Sequence, residues 1–130
     1  MTDLQLHVEL LSPPLVIYQG WLDSYIHGAI SESMAAINPV VNGEYRLWSG
    51  TVQGRFLELE PNKKIVMTWR TAEFAMNMES SVVTLLFQEQ KKGTRLIVQH
   101  EKIPHLFLDQ FRFGWEDYYF PRLKRFFIAH

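Results

Sequence analysis

Apolar and polar residues alternate along six stretches of the chain. The alternation predicts β-strands, because every second side chain of a strand lies on the same face. The stretches cover residues 4–10, 44–49, 51–60, 64–70, 81–88 and 94–100. The pattern is clearest in the fourth, where Ile65, Met67 and Trp69 share one predicted face. In the third, Gly54 indicates a bulge or a close approach between backbones.

Residues 106–127 have a different period, with large side chains recurring every three or four positions. This spacing is typical of an amphipathic helix that buries one face. The recurring positions are Phe107, Phe111, Trp115, Tyr118, Tyr119, Arg122, Leu123 and Phe126. Pro121 lacks an N–H donor, so we expect it to kink or split this helix.

Two shorter helices are predicted after the first strand. Ser12 is expected to cap the first, with Pro13 in its first turn and residues 15–22 forming the helix. Asp23 or Ser24 is expected to cap the second. The complete order is then one strand, two short helices, five strands and one long helix.

Segregated strands and helices are typical of an α+β fold with an antiparallel sheet. The long helix must bury its apolar face against that sheet, and a sheet that curves around one helix leaves room for a cavity between them. We therefore predict a single domain, residues 1–130, with a candidate ligand site between sheet and helix.

The candidate ligand-binding residues are those that the predicted periods direct into this cavity. They are Met67, Trp69, Leu85, Phe87, Val98 and His100 from the sheet, and Phe111, Trp115, Tyr118 and Tyr119 from the helix. The alternative is that these side chains fill a close-packed core. A buried His100 needs hydrogen-bond partners, which a ligand, Tyr118, Tyr119 or a backbone carbonyl could supply.

Other residues give weaker indications of chemistry. Glu58 and Glu60 would form an acid–base pair only if Glu58 faced the cavity, and solvated carboxylates are the favoured interpretation. The histidines are too scattered for a metal site, and no cofactor motif occurs. The apolar loop from Phe74 to Met78 is expected to form a lip over the cavity mouth, a contact patch for a protein, or a contact with a neighbouring subunit.

Charge and composition narrow the possible partners. The 130 residues carry a formal net charge of −1, which does not favour a general nucleic-acid surface. The chain has no cysteine, and neither a signal peptide nor a membrane-spanning segment is predicted. We expect a cytoplasmic protein, and its state as a monomer or a homodimer is left open.

Several short motifs occur in a defined order between residues 42 and 119. They are Asn42-Gly43-Glu44-Tyr45, Leu59-Glu60-Pro61, the run KIVMTWR from Lys64 to Arg70, Gly93-Thr94-Arg95-Leu96, Ile103-Pro104 and Gly114-Trp115-Glu116-Asp117-Tyr118-Tyr119. Together they resemble the family of the activator of Hsp90 ATPase, in particular the C-terminal domain of that co-chaperone. The resemblance implies the helix-grip fold, also called START-like or Bet v 1-like, in which a curved sheet wraps around a long C-terminal helix.

The resemblance also implies a non-catalytic, stress-related protein that binds an Hsp90-type chaperone. ATPase stimulation by this domain alone is not expected, since the eukaryotic co-chaperone also uses an N-terminal domain. Two alternatives stay open, because one scaffold hosts many functions in this superfamily. One is a carrier of a hydrophobic small molecule, and the other is an enzyme in which His100 and a tyrosine transfer protons.

Overall fold

The structure is a computed structural model that describes residues 2–128. Within that range the strands are β1 (Thr2–Leu10), β2 (Ala36–Ile37), β3 (Glu44–Leu47), β4 (Val52–Glu60), β5 (Lys64–Thr71), β6 (Ser81–Gln90) and β7 (Gly93–Ile103). The α-helices are α1 (Pro14–Leu22), α2 (Ser24–Ser31), α3 (Leu108–Phe113) and α4 (Phe120–Phe126). A π-helical turn, Gly114–Tyr119, joins α3 to α4, and we call these three pieces together the C-terminal helix.

The strands of the described residues form one antiparallel sheet in the order β1-β7-β6-β5-β4-β3-β2. Strands β2 to β7 follow one another in the chain, and β1 closes the other edge by pairing with β7. The register sets Met67 opposite Val83 and Leu85 opposite Val98, so one face of the sheet is continuously apolar. Alternation predicts every strand except β2, whose two residues are too few to show a period.

The C-terminal helix lies against the inner face of the curved sheet and buries Phe111, Trp115, Tyr119 and Leu123. Helices α1 and α2 pack beside it. This arrangement confirms the predicted α+β helix-grip fold. Within residues 2–128, no helix is both long and apolar enough to cross a membrane.

Pro121 does not split the C-terminal helix. The backbone stays right-handed helical at Gly114 and Phe120, and the disturbance takes the form of the π-helical turn before the proline. A wider turn relieves the clash between the proline ring and the carbonyl of the preceding turn, which explains why the chain remains helical.

Strand β4 is irregular for two separate reasons. A Cβ on Gly54 would lie 2.0 Å from the Thr68 carbonyl oxygen, so the predicted close approach is confirmed. The register with β5 shifts between Phe56 and Glu58, which accounts for the broken alternation. Beyond the shift the Glu58 carboxylate is exposed and pairs with Lys64 at 2.6 Å, so it does not face the core.

The caps of the two short helices differ from each other. The prediction that Ser12 caps α1 is wrong, because Pro13 occupies the cap position and no side chain bonds there. Ser12 is buried instead, and its hydroxyl donates to the Ile128 carbonyl at 2.8 Å. The Asp23 cap of α2 is confirmed, since its carboxylate accepts from the Ile26 N–H at 2.9 Å.

Candidate functional site

An apolar cleft lies between the C-terminal helix and the sheet, beside the start of β4 and the end of β5. Its volume is about 340 Å³, within the range of small-molecule sites. It is lined by Trp48, Thr51, Val52, Trp69, Thr71, Gln110, Phe111, Phe113, Gly114, Trp115, Tyr118 and Tyr119. Seven of these twelve residues are aromatic and none is charged, so the wall offers mainly apolar contact.

Half of the ten predicted ligand-binding residues line the cleft. These are Trp69, Phe111, Trp115, Tyr118 and Tyr119. The other half do not line it. Met67, Leu85, Phe87, Val98 and His100 are buried within the close-packed core instead. The predicted cavity is therefore confined to one end of the interface between sheet and helix.

Helix α1 fills the space in which the sequence pattern places the rest of the cavity. Tyr18 packs edge-on against Phe87, with ring centroids 5.5 Å apart. Trp21 stacks on Trp115 with ring centroids 6.3 Å apart. The side chains of Tyr18 and Trp21 are both buried. They fill space that would be empty if the C-terminal helix alone covered the sheet, so this part of the interface is close-packed core.

Adjacent tyrosines of the C-terminal helix have different roles in the cleft. Tyr119 is buried in the wall, whereas Tyr118 lies at the mouth and is 47% exposed. Trp48 packs edge-on against Tyr119, with ring centroids 5.1 Å apart. The Arg122 guanidinium lies over the rings of Trp48 and Tyr118 at 5.6 and 5.4 Å, so cation–π contacts connect the two sides of the mouth.

His100 belongs to a buried hydrogen-bond chain. The Trp115 indole N–H donates to His100 Nδ1 at 3.1 Å, and this fixes the neutral tautomer with its proton on Nε2. That proton is donated to Ser81 Oγ at 2.8 Å, and the Ser81 hydroxyl donates to the Trp69 carbonyl at 2.6 Å. The partners are therefore Ser81 and Trp115, whereas the alternatives expected from the sequence are a ligand, Tyr118, Tyr119 or a backbone carbonyl.

A second buried histidine, His27, has no counterpart in the sequence predictions. Its Nδ1–H donates to the Trp21 carbonyl at 2.8 Å, because a carbonyl can only accept. Its Nε2 then accepts from the Tyr119 hydroxyl at 2.9 Å. His27 lies in a segment without clear periodicity, so nothing in the local pattern marks it as buried.

Burial shifts the pKa values of these groups. It lowers the pKa of His27 to about 4 and that of His100 to about 3, and it raises the pKa of Tyr119 above its ordinary value. Both histidines are thus neutral near pH 7, with both ring nitrogens occupied. This arrangement gives no support to an enzyme acting through His100.

Thr71 carries a buried hydroxyl in the cleft wall. Its Oγ1 has no hydrogen-bond partner among the described residues, and the side chain is 7% exposed. Thr71 is the last residue of β5 and continues the inward alternation of Ile65, Met67 and Trp69. The alternation of buried and exposed residues could have identified Thr71 from the sequence. If the predicted strand had ended at residue 71 and not at Arg70, Thr71 would have fallen on the inner face.

The remaining lining residues missed by the sequence pattern come from turns and element ends. They are Trp48, Thr51, Val52, Gln110, Phe113 and Gly114. Trp48 belongs to a 3₁₀ turn, Trp48–Gly50, where the strand period no longer applies. No local sequence pattern predicts that residues from such separate turns and element ends line the same wall of the cleft.

The apolar loop between β5 and β6 is held by Arg70. Its guanidinium donates through Nη1 to the Met78 carbonyl at 2.6 Å and to Ser80 Oγ at 3.0 Å, and through Nη2 to the Ala75 carbonyl. The Phe74 ring lies 5.3 Å beneath the same guanidinium. Residues 74–78 do not line the cleft, so the loop is not the predicted lip over its mouth.

We expect Arg70→Lys to loosen this loop without unfolding the domain. Lysine keeps the charge but cannot bond several acceptors as a planar fork does. Losing about 1 kcal/mol of hydrogen bonding should speed local opening about fivefold. Hydrogen exchange followed by mass spectrometry should show the acceleration in residues 72–80. Arg95→Lys, in an exposed pair with Glu9, is the control, and equal exchange in both variants would contradict this role for Arg70.

Taken together, a curved antiparallel sheet around a long C-terminal helix, with an apolar cleft between them, defines a helix-grip domain. The family model of Activator of Hsp90 ATPase homolog 1-like proteins matches residues 12–127. The chain belongs to this family.

Curated relatives carry the same family name. The human "Activator of 90 kDa heat shock protein ATPase homolog 1" is 28% identical over 115 residues, which cover 88% of this chain and 34% of the relative. The homologue from Dictyostelium discoideum is 26% identical over 121 residues, covering 93% of this chain and 32% of the relative. The chain thus spans about a third of the length of these relatives.

Solved structures share the fold over nearly the whole chain. An HSP90 activator from Plasmodium falciparum has a TM-score of 0.87 and 25% identity, covering 96% of this chain and 95% of that one. The Aha1 dimer from Colwellia psychrerythraea has a TM-score of 0.84 and 14% identity, covering 98% and 96%. At 14% identity, the likeness to the Colwellia structure shows the fold alone.

Proposed function

We propose that this protein is a non-catalytic, stress-related cofactor of an Hsp90-type chaperone in the cytoplasm. The observation that carries the proposal is the family match over residues 12–127. The polar groups support the non-catalytic part. His27 and His100 are buried with all ring nitrogens bonded, and none of the twelve cleft residues is a carboxylate, a lysine or a histidine.

An exposed apolar surface next to the β5–β6 loop is the contact that we expect the chaperone to use. Met76 is 100% exposed and Leu106 is 89% exposed. Their segments meet where Phe74 stacks on Phe107 with ring centroids 5.1 Å apart. We call Met76 and Leu106 the apolar tip. Exposed apolar side chains on adjoining segments are typical of protein contact sites, and methionine adapts to varied partners.

The cofactor proposal is tested with the purified chain and the Hsp90-type chaperone of the source organism. We expect direct binding by biolayer interferometry, and we expect Met76→Glu combined with Leu106→Glu to weaken it at least about tenfold, since the contact would bury unpaired carboxylates. Tyr25→Glu, an exposed change on α2, is the control and should bind like the wild type.

The possible outcomes test the cofactor proposal and the role of the apolar tip separately. A wild-type chain that neither binds the chaperone nor changes its ATPase rate contradicts the cofactor proposal. If the wild type binds and the double variant binds equally well, the apolar tip is the wrong surface and the cofactor proposal stands.

A second candidate function is the binding of a hydrophobic small molecule in the cleft. It is favoured by one observation, an aromatic-walled cleft bordered by Thr71, whose buried hydroxyl has no partner among the described residues. Native mass spectrometry after mild purification should show a non-covalent adduct that denaturation releases. Absence of an adduct, together with failure to bind any apolar probe, would contradict this function.

A further inference from the structure

We propose that the cleft binds an uncharged aromatic molecule of about two fused rings, and that the single polar group of this ligand hydrogen-bonds to Thr71 Oγ1. The inference rests on the second candidate function and adds the chemical class and the orientation of the ligand. Four features of the cleft carry it: the aromatic wall, the absence of charge in that wall, the unpartnered hydroxyl and the volume.

The aromatic wall favours a flat ring system. Trp69 and Trp115 lie 5.1 Å apart between ring centroids, and Trp115 stacks on Tyr119 at the same separation. Trp48 meets Tyr119 edge-on, so both ring faces and ring edges border the cleft. Such a surface offers a planar ligand the offset-stacked and edge-to-face contacts that aromatic rings prefer.

The absence of charge in the wall favours a neutral ligand. None of the twelve lining residues is an aspartate, glutamate, histidine, lysine or arginine. The cation at the mouth, Arg122, lies over the rings of Trp48 and Tyr118 and donates to the Tyr118 carbonyl at 3.2 Å. A carboxylate or ammonium held within this wall would lose its hydration without gaining a charged partner among the twelve lining residues, which is costly. Arg122, whose Nε has no partner among the described residues, is not one of these twelve.

The Thr71 hydroxyl sets the place of one polar group on the ligand. The other polar side chains of the wall besides Tyr119 are those of Thr51, Gln110 and Tyr118, and all three are exposed to solvent. The Tyr119 hydroxyl, also in the wall, already donates to His27. Thr71 Oγ1 has no partner among the described residues, and a threonine hydroxyl can both donate and accept. A ligand hydroxyl or carbonyl satisfies it equally well, whereas an entirely apolar ligand leaves it buried and unpaired.

The volume of the cleft sets the size of the ligand. The volume of about 340 Å³ lies near the lower end of the range of roughly 300–1,000 Å³ found for small-molecule sites, which favours a small ligand. A molecule of two fused six-membered rings with one oxygen is such a ligand. The probe molecule 2-naphthol fulfils the three requirements of shape, charge and polarity, and naphthalene is the matched molecule without the polar group.

The test compares three probes on the whole chain by NMR titration: 2-naphthol, naphthalene and 2-naphthoate. For the wild type we expect 2-naphthol to bind about 3- to 10-fold more tightly than naphthalene, which is the range for one neutral hydrogen bond. The anionic 2-naphthoate should bind at least about tenfold more weakly than 2-naphthol. Indole N–H signals of Trp48, Trp69 and Trp115 should shift most, because these three line the cleft.

Thr71→Val is the decisive variant, because it removes the hydroxyl and keeps the shape of the side chain. We expect the preference for 2-naphthol over naphthalene to fall to about onefold in this variant. Thr84→Val makes the same chemical change in β6, away from the cleft, and should keep the wild-type preference. Thermal unfolding of both variants establishes that they are folded.

The outcomes distinguish the proposed chemistry of the ligand from the more general proposal that the cleft binds a small molecule. If 2-naphthol and naphthalene bind the wild type equally, or if Thr71→Val keeps the preference, the role of Thr71 is overturned while small-molecule binding stands. If 2-naphthoate binds as tightly as 2-naphthol, the requirement for a neutral ligand is overturned. If neither neutral probe binds, small-molecule binding in the cleft fails as well, and the chaperone proposal is untouched.

Discussion

Acidification from pH 6.5 to pH 4 is expected to remove a large part of the folding stability of this protein, because the fold holds two buried histidines in their neutral form. Burial lowers the pKa of His27 to about 4 and that of His100 to about 3, against about 6.5 in an unfolded chain. At pH values between about 6.5 and these lowered pKa values, the unfolded state binds more protons than the folded state. The stability from the neutral histidines is therefore fully present above about pH 6.5 and is lost as the pH falls.

The size of this effect follows from proton linkage. Each histidine contributes a loss of about 1.4 kcal/mol per pH unit within its window. Because each slope develops gradually around the two pKa values, the two histidines together give a loss of roughly 5–6 kcal/mol from pH 6.5 to pH 4, and the whole stability of a domain is about 5–15 kcal/mol. Urea unfolding followed by tryptophan fluorescence at several pH values should show a slope of about 2.4 kcal/mol per pH unit between pH 6 and pH 5.

The variant His27→Asn assigns part of this slope to one residue. The asparagine amide can still donate to the Trp21 carbonyl, although the bond from Tyr119 is lost. We expect lower stability at pH 7 but only about half the wild-type slope, since one titrating group is gone. His7→Asn, on the exposed side of β1, is the control for replacing a histidine by asparagine. A wild-type stability that stays level between pH 6 and pH 5 would contradict the account.

The strands of the sheet were predictable because the alternation of apolar and polar residues lies within each short segment of the sequence. Every second residue is buried over residues 64–71 of β5, 81–87 of β6 and 93–100 of β7, so parity alone identifies the inner face there. Parity fails only where the backbone departs from a regular ladder, as at the register shift after Phe56 in β4. The family motifs then supplied the topology, which parity alone does not provide.

The cleft was only partly predictable because it depends on what fills the rest of the interface. Parity correctly places His100 and Leu85 on the inner face, but it cannot show that Tyr18 and Trp21 of α1 occupy the space above that face. Trp48 reaches the cleft from a turn, where no period applies. The sequence thus indicates which residues face inward, and tertiary packing decides which of them border a void.

Truncating Trp115 to alanine is expected to lower the free energy of unfolding by about 4 kcal/mol, the usual cost of removing a buried tryptophan. The side chain is 2% exposed, and its ring lies 5.1 Å from the rings of both Trp69 and Tyr119. Its loss would extend the cleft into the core, which the remaining side chains cannot fill. Urea unfolding at pH 7 measures the change, and a loss below about 2 kcal/mol would contradict the tight packing described here.

Trp115→Phe separates the hydrogen bond from this packing. Phenylalanine retains most of the ring contacts but leaves His100 Nδ1 buried without a donor, so we expect a loss of about 2 kcal/mol. Combining it with His100→Leu, which removes the orphaned acceptor, should give a coupling energy of about 1–2 kcal/mol. The same cycle with Trp48→Phe should give a value near zero, because Trp48 does not bond His100.

A coupling near zero for the Trp115 pair would mean that packing alone holds the helix against the sheet. A coupling of the expected size has a consequence for the cleft. The chain of hydrogen bonds from Trp115 through His100 and Ser81 ends on the Trp69 carbonyl, and Trp69 and Trp115 both line the cleft. This buried chain would then fix the spacing of two walls of the cleft, which gives His100 a positioning role that requires neither a ligand contact nor proton transfer.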